Sequence, residues 1–313
     1  MMANDVAQKS AKRPKLLLDG VILLDKPEGW SSNDALIKIK RLLRAAKAGH
    51  TGTLDPFATG LLPLCFGEAT KFSHDLLEAD KTYQTEVVLG ISTSTGDTEG
   101  EVTAEKPVDV SVAQIEAVLA QFRGKISQIP PMHSALKRDG KPLYEYARQG
   151  ITLERQAREV EILELHLLEY QAPVLRLQVS CSKGTYIRVL GEDIGAALGC
   201  GAHLRSLRRT QVGQLKLADA LTLDTIQNLD EEQRPSLLAP VDSLLSNFPA
   251  LILPEVAAQR LLHGQRLNLT KLGINSPCES GRIRVYNEQQ RLLGTAFISA
   301  AEHLAPERLI VRP

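Results

Sequence analysis

The chain has 313 residues, which is long for a single hydrophobic core and favours two domains. Lys and Arg together number 37, as do Asp and Glu, so the bulk charge predicts neither a nucleic-acid nor a membrane partner, and a polyanion site requires local clustering. The cysteines lack metal-ligand spacing and no window resembles a signal peptide or a membrane span, so we expect a cytoplasmic protein, with residues 1–18 as a flexible N-terminus.

The first predicted elements are a strand and a basic helix. The apolar run Gly20–Leu24 predicts the strand. An apolar stripe at helical spacing predicts a helix over 32–48, which Ser31 or Ser32 can cap and Gly49 can end.

The stretch from Gly49 to Pro63 carries a single carboxylate, Asp55, in a loop punctuated by glycine and proline. No acidic residue occurs between Ala35 and Leu54, whereas that segment contains five positive charges: Lys38, Lys40, Arg41, Arg44 and Lys47. Asp before Pro is a frequent turn residue, so the dipeptide alone assigns no function. The basic surroundings, however, place a lone acid beside a surface that attracts phosphate.

The middle of the chain predicts a strand, a helix and a binding loop. Alternating residues from Tyr83 to Leu89 predict the strand, and Ser92–Gly100 reads as a loop. Ser111 with Gln114 forms a capping box for the helix. The segment Pro130–Gly150 is basic and aromatic with weak periodicity, which is typical of a binding loop.

A second strand over 175–181 leads into a helix whose apolar face begins at Ile187. Thr185 can cap this helix, which puts Arg188 in the first turn, where the helix macrodipole disfavours a cation. A local rule broken in this way favours a functional role, and the alternative is a solvated surface arginine.

The segment Gly195–Ala218 contains no acidic residue, and three of its arginines lie within five consecutive residues: Arg205, Arg208 and Arg209. We interpret them as phosphate contacts around Leu207. Beyond the proline-rich stretch 230–254, short apolar runs and a polar turn predict a small β module.

The stretch from Gly49 to Pro63 resembles the active-site motif of pseudouridine synthases. With the segments beginning at Leu24, Lys81 and Cys181, it is similar to the TruB family over most of the first 220 residues. The resemblance implies an α+β fold: a mixed, mainly antiparallel sheet with flanking helices over 19–248 and a PUA-like RNA-binding β-barrel over 249–313. It also implies isomerisation of one uridine in the T-arm loop of tRNA to pseudouridine, without metal or other cofactor. We expect a monomer that needs no protein partner.

The same resemblance implies roles for individual residues. It makes Asp55 the catalytic nucleophile or base, and it pairs Arg188 with Asp55. Four residues are assigned to the substrate: His50, Tyr83, Tyr186 and Leu207. Lys26 is a further candidate for the site. A carboxylate suits this chemistry because it can add to the sugar or the base, or remove a ribose proton.

The segment 130–150 resembles the RNA-gripping insertion of the family, which closes over the T arm. The chain departs from the family at His133, where an aromatic residue is usual. An imidazole replaces only part of the packing of such a ring.

Two other classes of function compete with this interpretation. A non-catalytic RNA chaperone could use the same basic surfaces, but pure binding has no use for a carboxylate among phosphates. A nucleotide hydrolase could cradle phosphate in the loop Gly49–Gly60, but no Gly-Lys-Ser/Thr follows, and Asp55 would repel the ligand.

Overall fold

The computed structural model describes residues 14–311, so most of the N-terminus predicted to be flexible lies outside the described residues. Within this range no helix has the length and apolar character needed to cross a bilayer. The α-helices are α1 (Ser32–Leu42), α2 (Ser73–Glu78), α3 (Val112–Gln121), α4 (Leu143–Ala147), α5 (Ile187–Ala197), α6 (Leu223–Asn228) and α7 (Glu255–Leu262).

The strands of the first half of the chain occur singly or in runs of two or three between these helices. They are β1 (Gly20–Lys26), β2 (Ala48–His50), β3 (Thr59–Phe66), β4 (Lys81–Leu89), β5 (Ile91–Thr93), β6 (Val102–Glu105), β7 (Gly124–Gln128), β8 (Lys137–Arg138), β9 (Lys141–Pro142) and β10 (Arg158–Gln171). The later strands are β11 (Val174–Cys181), β12 (Ala202–Val212), β13 (Leu215–Lys216), β14 (Leu221–Thr222), β15 (Ala250–Leu253), β16 (Leu267–Asn268), β17 (Gly281–Asn287), β18 (Leu292–Ile298) and β19 (His303–Leu309).

The larger sheet has the strand order β14-β1-β3-β12-β4-β11-β10-β7, with β2 added beside β3 and β13 beside β12. Its pairs are antiparallel except β1 with β14 and β3 with β12. The apolar faces of α1, α3, α5 and α6 share one core with the strands. The predicted mixed, mainly antiparallel sheet with flanking helices is therefore confirmed.

The smaller sheet has the order β15-β17-β18-β19-β16 and curls around its own core as a half-barrel. Ala257, Ala258 and Leu261 of α7 are buried against it. The apolar run from Leu292 to Ile298 is β18, paired with β17 across the turn that follows Asn287. The C-terminal β module predicted from the sequence is thus present.

A third core joins the two sheets. Phe72 and Leu245 from the larger part belong to the same buried cluster as Tyr286 and Ile310 from the half-barrel. Above this cluster, Arg282 forms ion pairs with Asp75 and Glu307, and its guanidinium lies 5.0 Å from the centre of the Phe248 ring. The half-barrel is therefore held by both apolar and charged contacts.

Removing this charged contact is expected to weaken the junction. We expect Arg282→Ala to lower the free energy of unfolding by about 2 kcal/mol, because the largely buried Asp75 carboxylate loses its nearest cation. Urea unfolding followed by circular dichroism measures the change. The control is Arg291→Ala, an exposed arginine of the same half-barrel, with an expected change of less than about 0.5 kcal/mol. Equal effects of the two substitutions would contradict the prediction.

Two predicted helix boundaries were wrong. The first helix was predicted to reach residue 48 but ends at Leu42, since Arg44 adopts a left-handed φ of 51°. The amides of Arg44 and Ala45 then bond back to the carbonyls of Arg41 and Lys40, which is a Schellman ending. The predicted cap Thr185 is also wrong: the N-cap of α5 is Tyr186, while the Thr185 hydroxyl donates to the Ser182 carbonyl.

The two predicted loops contain short elements. Ile91–Thr93 pairs with Val102–Glu105, so the loop begins later than predicted. The segment 130–150 contains the hairpin β8–β9 and the helix α4, anchored by the buried Leu143.

Candidate active site

The loop that carries Asp55 leaves β2 and returns through β3, at the point where β3 runs beside β12. Gly60 has a φ of 99°, and a Cβ placed there would lie 2.3 Å from the carbonyl oxygen of Arg209. Only glycine permits this approach of the two backbones. The glycine of the sequence motif therefore sets the return path of the loop.

Arg209 lies beneath this loop, buried to 1% exposure. Its Nε donates to the Leu61 carbonyl at 2.8 Å and its Nη2 donates to the Gly52 carbonyl at 3.2 Å. The expectation that Arg209 contacts phosphate is wrong, because its guanidinium is enclosed by protein. Of its two neighbours, Arg208 pairs with Asp25 at 2.7 Å and Arg205 with Glu86 at 3.0 Å.

Lys26 secures the loop from the opposite side. It is fully buried, and its Nζ donates to the carbonyls of Pro27, Trp30 and Pro56 at 2.9, 2.7 and 3.2 Å. Burial lowers the pKa of Lys26 to about 8, with the Asp55 carboxylate opposing that change. Lys26 thus binds the backbone of the loop at Pro56, the residue that follows Asp55.

Asp55 meets Arg188 as the sequence predicted. Arg188 Nε lies 3.0 Å from Asp55 Oδ2 and 3.5 Å from Asp97 Oδ2. The Arg188 side chain is 4% exposed, whereas that of Asp55 is 36% exposed. One edge of the Asp55 carboxylate therefore faces solvent, while the cation that orients it is enclosed.

The remaining donors of Arg188 reach two other loops. Nη1 donates to the Thr95 carbonyl at 2.9 Å and Nη2 donates to the His133 carbonyl at 2.6 Å. Arg188 lies in the first turn of α5, as predicted, and the carboxylates around it compensate for the unfavourable helix dipole. A single guanidinium thus joins Asp55, the loop after β5 and the segment 130–150.

The protonation state of Asp55 reflects opposing effects. Burial raises the pKa of Asp55 above its ordinary value, the Arg188 guanidinium opposes the rise, and the Asp97 carboxylate adds to it. Arg188 therefore favours the ionised form that a nucleophile or base requires.

Tyr83 and Leu207 line one face of the sheet beside the loop. In the register of β4 with β12, Tyr83 lies opposite Arg209 and Thr85 lies opposite Leu207, so these side chains share a face. Tyr83 is 9% exposed and Leu207 is 7% exposed. Burial raises the pKa of the Tyr83 phenol, and Arg209 opposes that rise. The phenol is neutral at physiological pH.

Tyr186 lies at the start of α5, two residues before Arg188. Its amide donates to Gln128 Oε1 at 3.0 Å, and its carbonyl accepts from Gln128 Nε2 at 3.3 Å. The side chain is half-buried, and burial raises the pKa of its phenol. Gln128, itself 2% exposed, therefore fixes the backbone from which Tyr186 projects.

His50 is the last residue of β2, the strand that leads into the loop carrying Asp55. Burial lowers the pKa of His50, and Arg209 lowers it further. Its Nδ1 is buried without a hydrogen-bond partner among the described residues. The lowered pKa favours the neutral imidazole at physiological pH.

Sequence reasoning missed two features of the site: the presence of Asp97 beside Arg188, and the burial of the Arg209 side chain. Asp97 is 2% exposed and lies in the loop after β5, where no periodicity marked it. Its one sequence signal is its place in a turn-rich stretch between short strands. In the described residues, no group of three or more His, Cys, Asp and Glu side chains has an arrangement that could hold a metal ion.

Comparison with known proteins gives family matches along the chain. Residues 40–187 match the model "TruB family pseudouridylate synthase (N terminal domain)", residues 188–246 match "tRNA pseudouridylate synthase B C-terminal domain", and residues 249–310 match "Pseudouridine synthase II TruB, C-terminal".

Curated relatives and solved structures match nearly the whole chain. A tRNA pseudouridine synthase B of Burkholderia lata is 60% identical, covering 97% of this chain and 94% of the relative. One of Ralstonia nicotianae is 57% identical, covering 99% of both. A chain from a Cbf5-Nop10-Gar1 complex superposes with a TM-score of 0.71 at 26% identity, covering 94% of this chain and 85% of that one.

Proposed function

Because the chain belongs to the TruB family of pseudouridylate synthases, we propose that it converts one uridine in the T-arm loop of tRNA to pseudouridine, with Asp55 as the nucleophile or base. The observation that carries the proposal is the pairing of a partly open Asp55 carboxylate with the enclosed Arg188 guanidinium. Such an arrangement keeps one acid ionised, oriented and accessible to a substrate.

The reaction rearranges atoms without redox change. The bond from ribose C1′ to N1 breaks, the uracil rotates, and C1′ bonds to C5. The proton on C5 leaves and N1 carries a proton in the product, so substrate and product are isomers. An ionised Asp55 serves this sequence by adding to the sugar or base, or by removing a ribose proton.

The side chains near Asp55 suit the binding of a uracil that has been flipped out of the stacked RNA bases. Flipping a base costs a few kcal/mol, and stacking on one aromatic ring returns about 1–3 kcal/mol. We assign Tyr83 and Leu207 to the faces of the uracil, and we place Tyr186 and the neutral His50 against the neighbouring RNA. Tyr83 and Leu207 share one face of the sheet, His50 ends the strand that leads into the Asp55 loop, and Tyr186 lies two residues before Arg188 at the start of α5.

The segment 130–150 has the chemistry for gripping an RNA backbone. Lys137 and Arg138 are exposed on its hairpin. Lys141 lies 4.7 Å from the centre of the Tyr146 ring, and Arg148 lies 5.3 Å from that of Tyr144. Cations held against aromatic rings can contact phosphates and stack on bases. We assign this segment to the T arm.

An assay with purified components tests the proposal. The protein is incubated with an unmodified tRNA transcript, without added metal or nucleotide, and pseudouridine is mapped by carbodiimide labelling and primer extension. We expect modification of a single T-loop uridine and none in a transcript that carries cytidine at that position. RNA binding without product would support a chaperone instead, and phosphate release from added nucleotides would support a hydrolase.

The pKa of Asp55 sets the acidic limb of the rate profile. The reaction requires the ionised carboxylate, so the single-turnover rate falls as pH falls through the pKa of Asp55 in the folded protein. Because burial raises that pKa, we expect the midpoint of the limb to lie above about 3.9, the value of a free Asp side chain. Rates at saturating tRNA, with circular dichroism at each pH as the folding control, measure it. A midpoint of the acidic limb at or below about pH 3.9 would contradict the prediction.

A further inference from the structure

The Ser32 hydroxyl holds the loop residue immediately before Asp55. Ser32 is the first residue of α1 and is 1% exposed. Its Oγ accepts from the Leu54 amide at 2.8 Å and donates to the Leu54 carbonyl at 3.0 Å. One hydroxyl thus satisfies both backbone groups of a residue 22 positions away in sequence.

Helix capping does not account for Ser32. The cap of α1 is Ser31, whose side chain accepts from the Asp34 amide at 3.1 Å and donates to Asp34 Oδ2 at 2.6 Å. The two adjacent serines therefore differ in function: Ser31 caps the helix, and Ser32 binds the loop backbone.

The contact matters because the residues immediately before and after Asp55 are both fixed by hydrogen bonds. Leu54 is fixed by Ser32 and by burial of its own side chain, which is 4% exposed. On the other side, the Pro56 carbonyl accepts from the Gly29 amide at 2.9 Å and from Lys26. The direction in which the Asp55 side chain leaves the backbone follows from these two anchors.

We infer that Ser32 is a positioning residue, whose two hydrogen bonds to the Leu54 backbone set the angle at which the Asp55 carboxylate meets Arg188 and the substrate. The inference rests on the proposed function of Asp55. Without the hydroxyl, the Leu54 amide and carbonyl are buried and unpaired, and the loop shifts to find other partners. Misplacement of a reacting group by about 1 Å can lower a rate by about a hundredfold.

The test separates an effect on the placement of Asp55 from an effect on the stability of the folded protein. Ser32→Ala is compared with Ser31→Ala by the single-turnover rate at saturating tRNA, the dissociation constant and the thermal midpoint. We expect Ser32→Ala to lower the rate by on the order of tenfold to a hundredfold with an unchanged dissociation constant. Ser31→Ala loses a helix cap, so we expect a thermal midpoint lower by a few degrees and a rate within about twofold of the parent.

Conservative variants add an independent comparison. Ser32→Thr keeps the hydroxyl and is expected to retain most of the rate that Ser32→Ala loses. Ser32→Cys keeps a similar volume with a weak donor and acceptor, and it replaces Ser32→Ala if that variant does not fold. A folded Ser32→Ala or Ser32→Cys with a rate within twofold of the parent overturns the inference alone. A parent protein that forms no pseudouridine overturns the proposed function and this inference together.

Discussion

Asp55→Asn is expected to abolish pseudouridine formation while leaving the affinity for tRNA within about tenfold of the parent. Asparagine keeps nearly the same shape but offers neither a nucleophilic carboxylate nor a base, so each chemical route fails. Binding persists because it depends mainly on many phosphate contacts elsewhere on the surface. Single-turnover assays at saturating tRNA and a binding titration measure the two quantities.

The matched control is Asp25→Asn. Asp25 is also an ion-paired acid close to the site, with its Oδ2 2.7 Å from Arg208 Nη2, but it lies on β1 and not on the loop. We expect its product yield to remain within about tenfold of the parent, since it has no part in the chemistry. Pseudouridine formed by pure Asp55→Asn would remove Asp55 from its catalytic role.

Arg188→Lys is expected to lower the single-turnover rate by on the order of a hundredfold with little change in tRNA affinity. In the structure Nε approaches Asp55, while Nη1 and Nη2 donate to the carbonyls of Thr95 and His133. The single nitrogen of lysine preserves the charge but cannot reach all three of these partners in the same geometry. The carboxylate stays ionised and loses its orientation.

Arg208→Lys provides the control for Arg188→Lys. Arg208 is an arginine of β12 whose side chain is 42% exposed and pairs with Asp25, so an ammonium can replace its charge. We expect a rate close to that of the parent and a modest change in the salt dependence of binding. A near-normal rate for Arg188→Lys would show that Arg188 does not orient Asp55.

The pairing of Asp55 with Arg188 was predictable from the sequence because each lies in a long, specific motif. The fold class was predictable for the same reason, since it was implied by the family resemblance, whereas periodicity predicted only individual strands and helices. The early end of α1 was not, since it depends on Arg44 adopting a conformation that usually requires glycine or asparagine.

The error at Arg209 has a different origin. Arg208 and Arg209 are adjacent on a strand, so their side chains leave opposite faces, and composition cannot say which face meets solvent. Asp97 was missed because a loop has no period from which burial can be predicted. Both positions are decided by contacts between residues far apart in sequence, with the Arg209 side chain reaching Leu61 and Asp97 reaching Arg188.

The contact between Arg188 and residue 133 is made to a main-chain carbonyl. Every amino acid carries that oxygen, so the tie between the segment 130–150 and the catalytic pair survives any side chain at this position that preserves the backbone path. The histidine in place of an aromatic ring therefore leaves the tie to Arg188 intact, because the side chain of residue 133 takes no part in it.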